Sequence, residues 1–412
     1  MEILIFIGAA LVLLLAFILI RALFFRPYPM KEIPPFAVEV DRDRAVQNLT
    51  RMIRCKTVSY LDTSLEAEGE FEKFRALLRE CYPLVHQYCQ FQRIGRTGLL
   101  YHWPGKSSEK PTVYMAHYDV VPAEEEAWEQ PPFAGIIKDG FLWGRGTLDT
   151  KGTLCAILEG AEYLLAQGFV PANDIYLSFS GDEETNGASA SDIVDYLAAN
   201  GITPHMVLDE GGAIVQGAVP GVQEKCALVG TGEKGKLHLR FTVKSKGGHA
   251  SSPPPRTPIG ILARAVCAVE NKPFRFHMAG PAREMFDILG RHAGFGLKLV
   301  FANLKLFGSL LNLATKKMGG EFNALVRTTV AFTKMKASDT VNVFPAAASV
   351  EADVRMMEGD TKDSVIAALK QRKLRWSMPS KSCHFLQLGQ SLGSAWRKEF
   401  ARCGQEHWSP RT

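Results

Sequence analysis

The stretch that most constrains this chain runs from Thr112 to Asp119 and reads Thr-Val-Tyr-Met-Ala-His-Tyr-Asp. Its apolar part, with valine and tyrosine, predicts a buried β-strand. In an α/β sheet, ligands gather beyond the carboxyl ends of the strands, which is where His117 would lie. A neutral imidazole can bind a metal there, and Asp119 can accept the other ring N–H and fix the tautomer. Taken alone, the pair also suits a hydrogen-bonded structural histidine.

Three acidic segments follow, each at a predicted strand end or tight turn. Asp149 lies in a glycine-flanked turn just before a segment with helical periodicity. The turn has no phosphate-binding fingerprint, so we favour a carboxylate ligand over a phosphate cradle. Glu183 and Glu184 follow the predicted strand at 175–179, where acidic residues also suit a solvated first turn of a helix. Asp209 follows the next short apolar run.

These placements together predict a metal site in an α/β domain whose sheet is mainly parallel. Imidazole nitrogens and carboxylate oxygens suit zinc, and they also suit cobalt or manganese. Of the two adjacent glutamates, one would bind metal and the other would act as a general base.

Composition excludes several other classes of protein. The 412 residues are enough for two domains. The net charge of +5 is mild for this length, and no Lys/Arg block is interleaved with aromatic residues, so we exclude a nucleic-acid partner. The eight cysteines form no Cys-x-x-Cys pair, which excludes a zinc ribbon.

Residues 1–26 contain an apolar segment, Ile3 to Ile20, which Ala22 to Phe25 extend past Arg21 to a length that can cross a bilayer as a helix. The alternative is a cleaved signal peptide. The segment has no basic residue before it and no small-residue cleavage site after it, which favours an uncleaved, single-pass membrane anchor. Basic residues follow the segment, which favours a cytoplasmic position for the rest of the chain, although one helix leaves the side of the membrane open. A proline-rich linker is predicted at 27–40.

The remainder is predicted to form a catalytic metal-binding domain at 41–233 and an α+β domain at 234–388. Polar and apolar residues alternate at 236–244, which is typical of a sheet with one solvated face. A helical insertion at 272–336 is rich in leucine and phenylalanine. It could pack in the core, contact the membrane or line a pocket for an acyl group. Residues 389–412 form an atypical short tail.

Four motifs in this order resemble the dinuclear zinc amidohydrolases of the peptidase M-20 family. They are Met-Ala-His-Tyr-Asp-Val-Val-Pro, Gly-Arg-Gly-Thr-Leu-Asp-Thr-Lys-Gly, Gly-Asp-Glu-Glu and Asp-Glu-Gly-Gly. The resemblance extends over residues 41–388 and is strongest to the membrane-associated carboxypeptidase S and N-acyl-amino-acid hydrolase branch. It implies a zinc-peptidase catalytic domain with an inserted lid domain that mediates homodimer formation.

The resemblance also implies which residues hold two zinc ions. His117 and Asp209 would hold one ion, Glu184 would hold the other, and Asp149 would bridge them.

The same resemblance implies the catalytic and substrate-binding residues. Asp119 would orient the metal-binding histidine. Glu183 would be the general base that takes a proton from water and passes it to the departing amide nitrogen. His249 and Asn342 would contact the substrate carbonyl, and Arg355 would bind its carboxylate through a planar, bidentate guanidinium. Without the resemblance, these three would be read as a turn histidine, a turn amide and a surface charge.

The tail departs from the family pattern. In the family, a closing catalytic segment supplies a final histidine to the second metal, and residues 389–412 do not resemble it; His384 and His407 lie in other contexts. The predicted function is hydrolysis of an amide bond next to a free carboxylate, in a peptide C-terminus or an N-acyl amino acid. The alternative is a truncated, non-catalytic member that serves as a dimerisation or binding module.

Overall fold

The computed structural model describes residues 1–29, 39–217 and 221–371, together with the backbone of 383–390. Most of the predicted linker at 27–40 lies outside the described residues. The tail beyond residue 390, including His407, lies outside them as well.

The chain divides at Gly211 into two compact units. We call residues 39–211 the site unit, and residues 1–29 with the described residues after Gly211 the lid unit. The predicted boundary at 233 lies later along the chain. The division is earlier because Val222 packs against Leu289 and Ala293 of the lid unit. The domain limits as predicted remain a prediction.

The lid unit begins with helix α1 (Glu2–Phe24), which is apolar around its whole circumference. Among the described residues, it is the one continuous helix long and apolar enough to cross a membrane. A membrane anchor and a signal sequence share this length and composition.

The site unit alternates helices and strands. Its helices are α2 (Arg42–Ile53), α3 (Glu68–Cys81), α4 (Pro83–Tyr88), α5 (Lys151–Ala166) and α6 (Ser189–Ala199), with 3-10 turns at Thr63–Leu65, Glu125–Ala127 and Glu183–Thr185. Its strands are β1 (Gln90–Ile94), β2 (Gly98–Trp103), β3 (Thr112–His117), β4 (Ile136–Lys138), β5 (Phe141–Trp143), β6 (Ile175–Ser180) and β7 (Met206–Leu208). Strands β4 and β5 form a separate hairpin.

Within the described part of the chain, five strands form one sheet in the order β1-β2-β6-β3-β7. Strand β3 pairs in parallel with both β6 and β7, and β2 is the one strand of this sheet that runs the other way. The mainly parallel sheet of an α/β fold is therefore confirmed. In the register of β3 and β6, His117 lies opposite Ser180, so both strands end at the same level.

The sheet is buried on both faces, which explains the nearly continuous apolar run of β3. On one face, Ala116 belongs to a core with Phe74 of α3 and Leu158 of α5. On the other face, Val113 packs in a cluster with Ile193 of α6. Successive residues of the strand thus point to opposite layers of helices.

The lid unit after Gly211 is built on an antiparallel sheet. Its strands are β8 (Ala213–Gln216), β9 (Lys225–Leu228), β10 (Gly235–Lys244), β11 (Gly248–His249), β12 (Thr329–Lys336), β13 (Val343–Phe344), β14 (Ala347–Met356) and β15 (Cys383–Gln390). Its helices are α7 (Pro258–Glu270), α8 (Gly280–His292), α9 (Phe295–Phe301), α10 (Leu304–Met318), α11 (Gly320–Ala324) and α12 (Lys362–Gln371). The main sheet has the order β12-β14-β10-β15, and α7 and α12 contribute to its core.

The predicted helical insertion at 272–336 is helical only in its first part. Residues 329–336 form β12, which pairs with β14 as an outer strand of the sheet. Val330 and Phe332 alternate along this strand and pack against the lid core. Their spacing of two residues, and not a helical spacing, determines the structure of this segment.

Candidate metal centre

In the site unit, the residues predicted to form the site lie at or just after the ends of strands, or just before helix α5. His117 is the last residue of β3. Glu183 and Glu184 form the 3-10 turn that follows β6, and Asp149 precedes α5. Because β3 and β6 are parallel neighbours, their carboxyl ends meet at one edge of the sheet.

Both ring nitrogens of the buried His117 imidazole lie close to acidic residues. Its Nε2 lies 2.9 Å from Asp149 Oδ1, 3.4 Å from Glu210 Oε2 and 3.9 Å from Glu183 Oε2. Its Nδ1 lies 3.0 Å from the Asp119 carbonyl oxygen and 3.3 Å from Asp119 Oδ1. With Nδ1–H donating to Asp119, Nε2 is left to act as a ligand toward the carboxylates.

Asp119 is fully buried and ties three chain segments together. Its Oδ2 accepts a hydrogen bond from Ser59 Oγ at 2.7 Å. The backbone N–H groups of Glu183 and Glu184 donate to its two carboxylate oxygens, each at 3.1 Å. One carboxylate therefore positions both the imidazole and the turn that carries the two glutamates.

Among the described residues, two sets of three side chains could each hold a metal ion. One set is His117, Asp149 and Glu184, and the other is His117, Glu183 and Glu210. Within each set, the ligand atoms lie within 4.8 Å of one another. An imidazole with several carboxylates is a donor set that zinc, manganese or cobalt accepts, so the residues present fit a divalent metal.

Glu210 has no role among the residues predicted from the sequence. Asp209, which does have a predicted role, belongs to neither set; its Oδ1 accepts the N–H of Glu210 at 2.8 Å. The doublet Asp209-Glu210 after β7 was the available signal, but Glu210 lies in a bend beyond the strand, so strand periodicity does not indicate which of the two faces His117. The metal role of Asp209 stays a prediction.

The crowding of carboxylates is visible in the pKa values. Burial and the negative charge of Asp149 raise the pKa of Glu184 to about 7. Burial also raises the pKa values of Glu183 and Glu210. Burial lowers the pKa of His117, but the surrounding carboxylates outweigh it and raise that pKa to about 10. A bound cation would remove the repulsion among these acidic groups.

We expect the metal-free chain to become less stable as the pH rises from about 5 to about 8. The folded-state pKa of Glu184 lies above its ordinary value of 4.5, so its favourable contribution exists at acid pH and is lost as the pH rises through 7. His117 has the same sign, since its raised pKa stabilises the fold below its ordinary value and no longer does so above about 10. Discounted for solvent screening, the loss is about 1–2 kcal/mol.

Thermal melting of the chelated full chain at several pH values measures this loss. The Glu184→Gln variant is the control and should show a flatter pH dependence. A melting temperature of the metal-free chain that rises over this pH range would contradict the expectation.

The three predicted substrate-binding residues all lie in the lid unit. His249 is exposed in β11, with Nδ1 2.8 Å from Ser251 Oγ. Asn342 lies beside it, because its carbonyl oxygen accepts the N–H of Ala250 at 3.0 Å. Arg355 is half exposed on β14, and its Nε donates to Asp353 Oδ2 at 3.0 Å. The structure thus brings His249 and Asn342 together and places Arg355 on a different sheet of this unit.

Asp119→Asn should weaken metal binding about 10- to 100-fold, the usual cost of losing a partner that orients a ligand. The asparagine amide carries no negative charge beside the imidazole. Its NH₂ group also cannot accept the hydrogen bonds that are now donated to the Asp119 carboxylate. Competition with a chelator of known affinity measures the change. Asp174→Asn is the matched control, because Asp174 is also buried and accepts from Gly105 N and Ser108 Oγ, each at 2.8 Å. Equal loss of metal from both variants would contradict the proposed role of Asp119.

Comparison with known sequences gives the chain close relatives. Residues 113–370 match the sequence profile of Peptidase family M20/M25/M40. The chain is 38% identical over 329 residues to probable carboxypeptidase S-like 2 of Dictyostelium discoideum, covering 78% of this chain and 63% of that protein. It is 37% identical over 338 residues to N-fatty-acyl-amino acid synthase/hydrolase PM20D1 of Xenopus tropicalis, covering 80% of this chain and 65% of that protein. The chain therefore spans slightly less than two thirds of the length of these relatives.

Solved structures show the same fold. An M20 family metallo-carboxypeptidase, Sso-CP2 from Sulfolobus solfataricus, superposes with a TM-score of 0.58 at 17% identity, covering 84% of this chain and 78% of that chain. Human carnosine dipeptidase 1 superposes with a TM-score of 0.51 at 13% identity, covering 84% of this chain and 79% of that chain. At these identities, the likeness is one of fold.

Proposed function

The chain belongs to peptidase family M20/M25/M40, and from this membership we propose that it hydrolyses an amide bond with the help of bound divalent metal ions. The observation that carries the proposal is the meeting of His117 with the carboxylates of Asp149, Glu183, Glu184 and Glu210 at one sheet edge.

The proposed ligands are His117, Asp149, Glu184 and Asp209, with Glu210 as a further donor. When bound, zinc or a similar ion polarises the scissile carbonyl and lowers the pKa of a water molecule. The side chains that would face a substrate are accessible, since Asp149 is 70% exposed and Glu183 is 51% exposed. Two ions per chain are the expectation from the family, with zinc preferred over cobalt or manganese.

Glu183 is the proposed general base. Its carboxylate accepts a proton from the attacking water and later gives it to the leaving amide nitrogen, so the amine departs neutral. Its raised pKa supports this role, because a base works best when its pKa approaches the operating pH. The hydrogen bond from the backbone N–H of Glu183 to the carboxylate of the buried Asp119 supports a fixed position for the backbone of Glu183.

The proposed substrate is a peptide C-terminus or an N-acyl amino acid. The names of two relatives, probable carboxypeptidase S-like 2 and N-fatty-acyl-amino acid synthase/hydrolase PM20D1, support this class, because a C-terminal peptide bond and an N-acyl amino acid each hold an amide next to a free carboxylate. Arg355 would bind that carboxylate through its planar guanidinium. His249 and Asn342 would contact the substrate carbonyl.

We also propose that the chain forms a homodimer through the lid unit and is held in a membrane by α1 as a single-pass anchor. The length and composition of α1 support the anchor. The family resemblance supports the dimer.

Chelation should abolish hydrolysis of N-acyl amino acids by the purified full chain, and added zinc should restore it because the carboxylate cluster regains its cation. Bound metal is counted per chain by elemental analysis, and cobalt and manganese are tested in parallel. If metal binds but neither N-acyl amino acids nor peptides are hydrolysed, the competing hypothesis of a non-catalytic dimerisation or binding module stands instead.

A further inference from the structure

The helices α9 and α10 form a bent pair, which we call the helical elbow (Phe295–Met318). Taken together, they are long and apolar enough for a membrane span, but their axes are bent by 106°. A bend this sharp prevents the pair from running as one straight helix across a bilayer.

The elbow is held against the C-terminal end of α1. Arg21 donates from Nη2 to the carbonyl oxygen of Ala302 at 2.7 Å and from Nε at 3.0 Å. Asn303 Nδ2 donates to the carbonyl oxygen of Ile18 at 3.2 Å. Ala22 packs in one cluster with Ala302. The bend of the elbow therefore lies at the end of the most apolar helix of the described chain.

A buried arginine holds one face of α10 against the rest of the lid unit. Arg327 is 1% exposed, and its Nη2 donates to Asn312 Oδ1 and Thr315 Oγ1, each at 3.0 Å. Its Nη1 donates to the carbonyl oxygen of Phe274 at 3.2 Å. These bonds determine which side of α10 is turned inward.

The opposite face of α10 presents leucines to the exterior. Leu306, Leu310 and Leu313 are 51%, 55% and 54% exposed, and their spacing of four and three residues places them on one stripe of the helix. Exposed Lys305 and Lys316 lie along one side of this stripe, and exposed Lys317, four residues after Leu313, follows it at the end of the helix. An apolar stripe bordered by lysines is typical of a helix that lies in the interface of a membrane.

We propose that the outer face of the elbow inserts into the headgroup region of the same bilayer that α1 crosses, with the lysines on anionic lipid. The inference rests on the proposed anchor. The hydrogen bonds between α1 and the elbow support the inference, because they hold the helix with the leucine stripe near the point where α1 would leave the bilayer. The occupant of this face is thus a lipid surface, and the membrane-facing side of the lid unit is defined by Leu306, Leu310 and Leu313.

The test uses the full chain in nanodiscs of phosphatidylcholine and phosphatidylserine. The photoreactive residue p-benzoylphenylalanine replaces Leu310, and in separate proteins Leu14 of α1 or the exposed Met335 of β12. Mass spectrometry then identifies the crosslinked partner. We expect lipid adducts from positions 310 and 14 and none from position 335.

The other outcomes separate the inference from the anchor. Lipid adducts at position 14 but not at position 310 would overturn the inference and leave the anchor in place. No adduct at either position would overturn both. A crosslink from position 310 to a second copy of the chain, or to another protein, would show that this face docks protein instead of lipid.

A charge variant gives a second measurement. With the probe at the exposed Phe295, the combined Leu306→Glu, Leu310→Glu and Leu313→Glu variant should lower the yield of lipid adduct about tenfold, since three carboxylates would face anionic lipid. Val341→Glu, on a fully exposed residue of the same unit, is the control and should leave the yield unchanged. An unchanged yield in the leucine variant would contradict the proposal.

Discussion

Glu183→Gln is expected to lower the turnover number about 10³-fold, within the range of general acid–base contributions. Glutamine has the same shape but cannot accept a proton at neutral pH. No carboxylate then takes the proton from water or passes it to the leaving nitrogen. The backbone N–H of Glu183 still donates to Asp119, so the turn keeps its position. Steady-state kinetics on an N-acyl amino acid, with elemental analysis on the same sample, measures both properties.

Two variants make this result specific. Glu125→Gln places the same substitution in another 3-10 turn of the site unit, Glu125–Ala127, and should leave turnover unchanged. Glu184→Gln should lower the metal content more than Glu183→Gln does, because Glu184 is a proposed ligand and Glu183 is the proposed base. Turnover of Glu183→Gln within about threefold of the unsubstituted chain, well short of the smallest general-base effects, would exclude Glu183 as the base.

His117→Ala is expected to remove bound metal and to lower turnover by at least about 10³-fold, since metal activation supplies several kcal/mol of the rate enhancement. His117 is the one residue shared by both ligand sets, so its loss weakens each of them. Its removal also leaves the carboxylates of Asp149 and Glu210 without their imidazole partner. Metal content per chain and turnover are measured together.

A second histidine of the same sheet provides the matched control. His102 on β2 lies 3.1 Å from Asp174 Oδ2, so it also pairs with a carboxylate, but it lies outside both ligand sets. His102→Ala should keep its metal. If His102→Ala loses as much metal as His117→Ala, the loss reports damage to the fold and not removal of a ligand.

The fold of the site unit could largely be predicted because its pattern is local. The apolar run before His117 and the helical spacing after Asp149 each indicate one element, and a parallel sheet brings their ends to one edge. His117, Asp149 and Glu184 lie together there, and their roles as metal ligands stay a prediction. The strand β10 likewise matches the alternation of polar and apolar residues at 236–244.

Other features depend on contacts that periodicity does not contain. Which member of the doublet Asp209-Glu210 faces His117 depends on the backbone direction just after β7, where no regular element fixes it. The unit division at Gly211 depends on the packing of Val222 against α8, a contact between distant segments. Asp119 holds the turn at Glu183 through a hydrogen bond between residues that are 64 positions apart in the sequence.

Among the described strands of the lid sheet, β12 is an outer one, and it carries exposed lysines at its end, Lys334 and Lys336. An outer strand offers its backbone to another strand, and two copies joined side by side through this edge would bring their ammonium groups near one another. Charge therefore protects this side of the sheet against self-association and aggregation.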